Sequence, residues 1–139
     1  MKIANSDSEI NSCFEVLREL RPHLIQDSFL GSIRIMQSQG YVLSYLIDDD
    51  STRAVAGFRI YFDLSVNGNA LYVYDLVVAE GHRSKGYGQQ LLHGIEAYAK
   101  LNNCKCVHLD SNTNRHGAHK FYLGNGFKIN AFHFLNFFD

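Results

Sequence analysis

Residues 77–88 read Val77-Val78-Ala79-Glu80-Gly81-His82-Arg83-Ser84-Lys85-Gly86-Tyr87-Gly88. The run ahead of them, Leu71 to Val78, is apolar at nearly every position, which predicts a strand covered on both faces. Behind them Leu91, Leu92, Ile95, Tyr98 and Ala99 recur at helical spacing and form one buried stripe. The stretch is therefore a strand, a glycine-rich turn and a helix. A helix N-terminus presents unpaired amides and a partial positive charge, so it suits a phosphate. Gly86 and Gly88 let the backbone approach such a group closely, and Arg83 and Lys85 add cationic donors. These residues predict a pyrophosphate-binding turn.

Two nucleotide motifs fail on this turn. A P-loop needs lysine after its second glycine, and Tyr87 stands there. The dinucleotide fingerprint needs a third glycine, and Gly86-Tyr87-Gly88 is followed by Leu91 at that position.

Working outward, Lys2 to Ala4 reads as a short strand, and Ser6-Asp7-Ser8-Glu9 has the spacing of a capping box. Ile10, Cys13, Phe14, Leu17 and Leu20 predict one helix ending near Pro22. Asp27 is placed to cap a second helix closed by Gly40. Tyr41 to Ile47 and Val55 to Leu64 read as strands around the turn Asp48-Asp49-Asp50-Ser51, and Asn67-Gly68-Asn69 marks a hairpin. Cys106 to Asp110 is a further strand and Ala118 to Leu123 a short helix. The aromatic tail, Lys128 to Phe138, is expected to pair as the final strands, and its segment Phe132 to Phe138 also suggests a dimer contact. Helices, an antiparallel meander and a strand–helix–strand crossover predict a mixed α/β fold around a central sheet. No linker or repeat interrupts residues 1–139, so one domain is expected.

Thirteen basic and 14 acidic residues leave a net charge of −1, unlike the basic surface of a nucleic-acid-binding domain. No apolar run reaches membrane-span length, and the N-terminus lacks a secretory core. Cys13, Cys104 and Cys106 are too few and odd for a disulfide framework. A cytoplasmic protein without nucleic-acid or membrane partners is expected. Cys104, Cys106 and His108 alternate along a strand, which fits small packing residues better than a zinc site, so no metal is expected.

A second motif lies downstream: Ala118-His119-Lys120-Phe121-Tyr122-Leu123-Gly124-Asn125-Gly126-Phe127. With Arg83-Ser84-Lys85-Gly86-Tyr87-Gly88, and Val78 five residues before the arginine, the chain resembles the GNAT superfamily of acetyl-CoA-dependent N-acetyltransferases. The resemblance implies a mostly antiparallel central sheet with a splayed parallel pair, flanked by helices. It implies acetyl-CoA as co-substrate and no metal, with the acetyl group passing directly to a primary amine. The backbone of Leu76, Val77 and Val78 would pair with the pantetheine arm, a backbone amide near Leu76 or Val77 would polarise the acetyl carbonyl, and residues Arg83, Ser84, Lys85, Gly86, Tyr87 and Gly88 would hold the pyrophosphate. Tyr122 matches the family tyrosine that serves the departing thiolate.

Two departures bear on function. Diamine acetyltransferases of the superfamily carry Glu-Asp before Leu, whereas this chain has Tyr74-Asp75-Leu76. Asp75 is then a candidate for binding the ammonium, for activating it through water, or for a structural hydrogen bond. Asp110, ending the next strand, is a second candidate for a cationic amine. Arg115 stands where many members have an Asn that contacts CoA, and Asn112 or Asn114 are candidate replacements. The leading expectation is a monomeric or homodimeric enzyme acting on a small, cationic amine. A non-catalytic acyl-CoA-binding module and a protein N-terminal or lysine acetyltransferase remain open alternatives.

Overall fold

The computed structural model describes residues 1–138. The chain divides into two compact units, residues 1–108 and 109–139.

The first unit opens with β1 (Lys2–Ile3) and two short helices, α1 (Asp7–Ser12) and α2 (Phe14–Leu20). The capping box forms: Ser6 Oγ accepts from the Glu9 amide at 3.2 Å, and Glu9 Oε2 accepts from the Ser6 amide at 2.9 Å. The single helix expected from periodicity is broken at Cys13, whose amide bonds back to Ile10 O at 3.0 Å, three residues away. That tight turn lets both halves bury their apolar residues while changing direction. In α3 (Gln26–Ser38) the N-cap is Ile25, two residues before the Asp27 expected to cap it, and Asp27 lies inside the first turn. Gly40 follows with φ +91°, a left-handed stop.

Strands β2 (Tyr41–Asp48), β3 (Ser51–Asp63) and β4 (Gly68–Val78) form the antiparallel meander. Both β2–β3 turn residues, Asp49 and Asp50, have positive φ, which gives the two-residue hairpin its handedness. Then come α4 (Tyr87–Leu101) and β5 (Cys106–Leu109), and the sheet order is β1-β2-β3-β4-β5. The architecture is the mixed α/β sheet flanked by helices that the sequence predicts.

Register assigns the faces. Tyr41, Leu43 and Tyr45 pack in one core with Ile10, Phe14, Leu17, Phe29 and Ile33 of α1–α3. Their partners across the ladder, Arg59, Gly57 and Val55, share that face, and so do Tyr72, Asp75 and Val77 beyond them. The opposite face buries Phe58 with Leu91, Leu92 and Ile95 of α4, and the Phe58 ring meets Tyr98 edge-on at 5.1 Å.

Two bulges interrupt the register. Leu46 pairs with Ala54 and Ile47 with Thr52, so Arg53 opposes nothing; Gly57 pairs with Asp75 and Phe58 with Val73, so Tyr74 opposes nothing. Such extra residues bend a strand and re-aim side chains.

The second unit contains α5 (His116–Gly124) and the tail. Residues 128–138 form no strand, contrary to the expectation; Phe132, Phe134, Phe137 and Phe138 are at least 83% exposed. Strand propensity alone does not order a segment that has no ladder partner. No helix among the described residues is long and apolar enough to cross a membrane.

Candidate active site

The turn after β4 has the backbone a phosphate cradle needs. Gly81 has φ +77°, Ser84 +62° and Gly86 +87°. Gly86 is the left-handed N-cap of α4 and supplies no side-chain cap, and no acidic residue lies in the first helical turn. A Cβ built at Gly81 or Gly86 would meet nothing within 4 Å, so the space before this helix end is open. Uncapped amides, open space and the lack of an acidic residue in the first helical turn together fit an anion such as the pyrophosphate of CoA.

Neighbouring side chains brace the turn. Arg83 donates to Val78 O at 3.4 Å and lies 3.6 Å from Glu19 of α2, whose carboxylate also accepts the Glu80 amide at 2.8 Å. Tyr87 donates its hydroxyl to Asp48 in the β2–β3 turn. The bulged Arg53 sits 2.9 Å from His82 Nε2. An arginine only donates, so His82 Nε2 accepts and its proton resides on Nδ1. The sequence does not show that Arg53, His82 and Asp48 meet at this turn, because a bulge and a hairpin, not a motif, bring them there.

The second feature is the bulge of β4. Asp75, an acid inside an apolar strand, is held by two partners. It is 8% exposed; Arg21 Nε donates to its Oδ1 at 2.8 Å and Tyr41 Oη to its Oδ2 at 3.4 Å. Arg21 also donates to the carbonyl of the bulged Tyr74 at 3.3 Å. Burial, and then the Asp75 carboxylate, push the Tyr41 phenol far up, so it remains a donor. A Cβ on Gly57 would lie 1.7 Å from Tyr41 Oη, so glycine makes room for this hydroxyl.

Along the same face, rings continue away from Asp75. Tyr41 meets Tyr74 at 5.9 Å, Tyr74 meets Tyr72 at 4.7 Å, and Tyr72 meets His108 at 5.1 Å. His108 Nε2 lies 2.7 Å from Tyr61 Oη, which also donates to Asp63 at 3.1 Å. Leu76, Val77 and Val78 complete β4, with Leu76 and Val78 only partly buried.

In the second unit, Tyr122 lies on α5 against Phe121 at 5.3 Å and Phe127 at 5.7 Å. Burial raises its pKa. Asp110 Oδ2 is 3.0 Å from His133 Nδ1. Asn112 uses its backbone carbonyl, accepting from the Arg115 amide at 3.0 Å and lying 2.8 Å from His119 Nε2. Arg115 occupies the N-cap of α5 without a side-chain hydrogen bond, where an Asn would cap the helix.

Comparison with known proteins identifies the family. The model of the acetyltransferase (GNAT) family matches residues 8–127. The uncharacterized N-acetyltransferase YhdJ of Bacillus subtilis (strain 168) is 31% identical over 136 residues, covering 96% of this chain and 95% of that protein. A putative acetyltransferase from Agrobacterium tumefaciens str. C58 shares the fold with a TM-score of 0.84 at 21% identity, over 98% of this chain and 99% of that one. AAC(6')-Iy, solved in complex with the bisubstrate analogue CoA-S-monomethyl-acetylneamine, has a TM-score of 0.85 at 17% identity over 99% of this chain and 96% of that one. The chain belongs to the GNAT acetyltransferase family and is an acetyl-CoA-dependent N-acyltransferase.

Proposed function

We propose that the protein transfers the acetyl group of acetyl-CoA directly to the primary amine of a small molecule, holding the pyrophosphate at residues 83–88. The observation that carries this is the N-terminus of α4, uncapped, left-handed at Gly86 and facing open space. Acetyl-CoA supplies the acyl group as an activated thioester. The amides of the turn bind the phosphates, with Lys85 as a further cation. The backbone of Leu76, Val77 and Val78, just past the bulge, is assigned to the pantetheine arm and to the developing oxyanion. Tyr122, protonated at neutral pH, is assigned to the departing sulfur. Asn112 remains the candidate for a further CoA contact.

Asp75 is assigned a positioning role. It is 8% exposed and accepts from Arg21 and Tyr41, which favours fixing the bulge over receiving the amine. Release of free thiol from acetyl-CoA, measured against a panel of primary amines, tests the reading. Acetyl-CoA binding with amine-dependent thiol release is expected, and binding without turnover of any amine would refute it.

A further inference from the structure

The face beside the β4 bulge carries a cation that no carboxylate pairs. Asp75 is neutralised by Arg21 at 2.8 Å, and Asp63, still an anion, is held by Tyr61 and by the Ser65 amide at 2.8 Å, at the Tyr61 end of the ring row. Asp110, the other carboxylate that suggested a cationic acceptor, is engaged by His133 at 3.0 Å. Arg59 is different. It lies between Tyr41 and Tyr72 in the ladder, with its guanidinium carbon 5.9 Å from the centre of the Tyr74 ring. Among the described residues no carboxylate is within salt-bridge distance of it, and its Nε is buried with no hydrogen-bond partner. A guanidinium carries five donors in a planar fork that matches a carboxylate, so an uncompensated one on this face selects an anion.

The rings beside Arg59 set the rest of the ligand. Tyr74, Tyr72, His108 and Tyr61 follow one another in edge contact, and Tyr61 and Tyr74 are each 37% exposed. An open row of aromatic edges and faces suits another ring.

We infer that the acceptor is an aromatic α-amino acid, its carboxylate paired with Arg59 and its ring against Tyr72, Tyr74 and His108. The inference rests on the reading that this chain acetylates a small primary amine, and it narrows that substrate class. In the transfer the nitrogen forms the bond to the acetyl carbon and the C–S bond breaks with its electrons on sulfur. Starting from the ammonium, two protons leave nitrogen, one to solvent and one to replace the lost bond on sulfur. The carboxylate and ring are unchanged.

The test compares thiol release with L-phenylalanine, L-phenylalaninamide, 2-phenylethylamine and L-alanine, using the full chain and acetyl-CoA. L-phenylalanine should exceed both carboxylate-free analogues in kcat/KM by about tenfold to a hundredfold, the range for one charged hydrogen-bonded pair. It should also exceed L-alanine. Arg59→Gln should abolish the advantage over the analogues, Arg59→Lys should keep part of it, and acetyl-CoA affinity should stay unchanged in both. Because each ratio is read within one variant, partial loss of stability does not obscure it. Equal turnover of the acid and its amide, or an Arg59→Gln ratio unchanged from the parent, would overturn the acceptor class while leaving the acetyltransferase reading intact. Turnover of simple alkylamines with none of the four compounds would do the same. Absence of acetyl-CoA binding would remove both.

Discussion

Arg21 Nε donates to Asp75 Oδ1 at 2.8 Å, joining the end of α2 to the bulge of β4 across 54 positions of sequence. The Asp75 side chain is 10% exposed and that of Arg21 47%. Removing the arginine would leave a largely buried carboxylate without its cation. Arg21→Gln should therefore lower unfolding stability by about 1–3 kcal/mol, less than for a fully buried pair. Arg21→Lys should recover part of it. Chemical denaturation measures this, and an unaltered midpoint for Arg21→Gln would remove the pair from the account.

Gly57 and Tyr41 form a steric relationship that one methyl group can probe. Gly57→Ala places its Cβ 1.7 Å from Tyr41 Oη in the unrelaxed geometry, so the ring must leave Asp75. A loss of about 1–3 kcal/mol is expected from such overpacking. In the double variant with Tyr41→Leu the combined loss should fall short of the sum of the two single losses, because the residues share one clash. Strict additivity would contradict the geometry.

Glu9 gives a pH dependence whose sign is fixed. Hydrogen bonds from the backbone amides of Ser6 and Asn5 lower its pKa from 4.5 to about 2. A folded-state pKa below the unfolded one stabilises the protein above the unfolded value and loses that contribution as pH falls through the folded value. Glu9→Gln should therefore be less stable than the parent at pH 7, and the two should converge between about pH 4.5 and 2. Melting curves across that window test the capping box, and a difference independent of pH would show that the charge plays no part.

Tyr122→Phe separates chemistry from packing. Its ring contacts with Phe121 and Phe127 survive, while the hydroxyl, whose raised pKa keeps it protonated at neutral pH, is lost. General acid catalysis contributes about 10²–10⁴-fold, so kcat should fall at least tenfold with acetyl-CoA affinity unchanged. An unaltered kcat would return Tyr122 to a packing role.

Features encoded in contiguous residues were legible in the sequence. The capping box at Ser6 and Glu9, the turn at Asp49-Asp50, the glycine turn before α4 and the stripe of Leu91, Leu92 and Ile95 all appear where their local signals place them. Features set by cross-strand register were not. The bulges at Arg53 and Tyr74 depend on which residue of a neighbouring strand each one misses, and the single sequence carries no such pairing. Asp75 could be singled out as an acid in an apolar run. Its partner Arg21 could not, because a tertiary contact and not a motif joins them. The break at Cys13 escaped a periodicity that runs straight through it, and the aromatic tail had the composition of a strand without a ladder to join.

Calorimetric titration of acetyl-CoA into Gly86→Asp tests the turn from Arg83 to Gly88 as the pyrophosphate site. Gly86 has φ +87° and faces open space, so Gly86→Asp adds strain, bulk and negative charge where the phosphates are assigned. Gly86→Ala adds only the strain and a methyl group, and controls for the backbone. Acetyl-CoA affinity should fall by about two orders of magnitude or more in a folded Gly86→Asp protein, as expected for replacing a favourable anion site by a like charge. Gly86→Ala should lose markedly less. Parental affinity in folded Gly86→Asp would contradict that assignment.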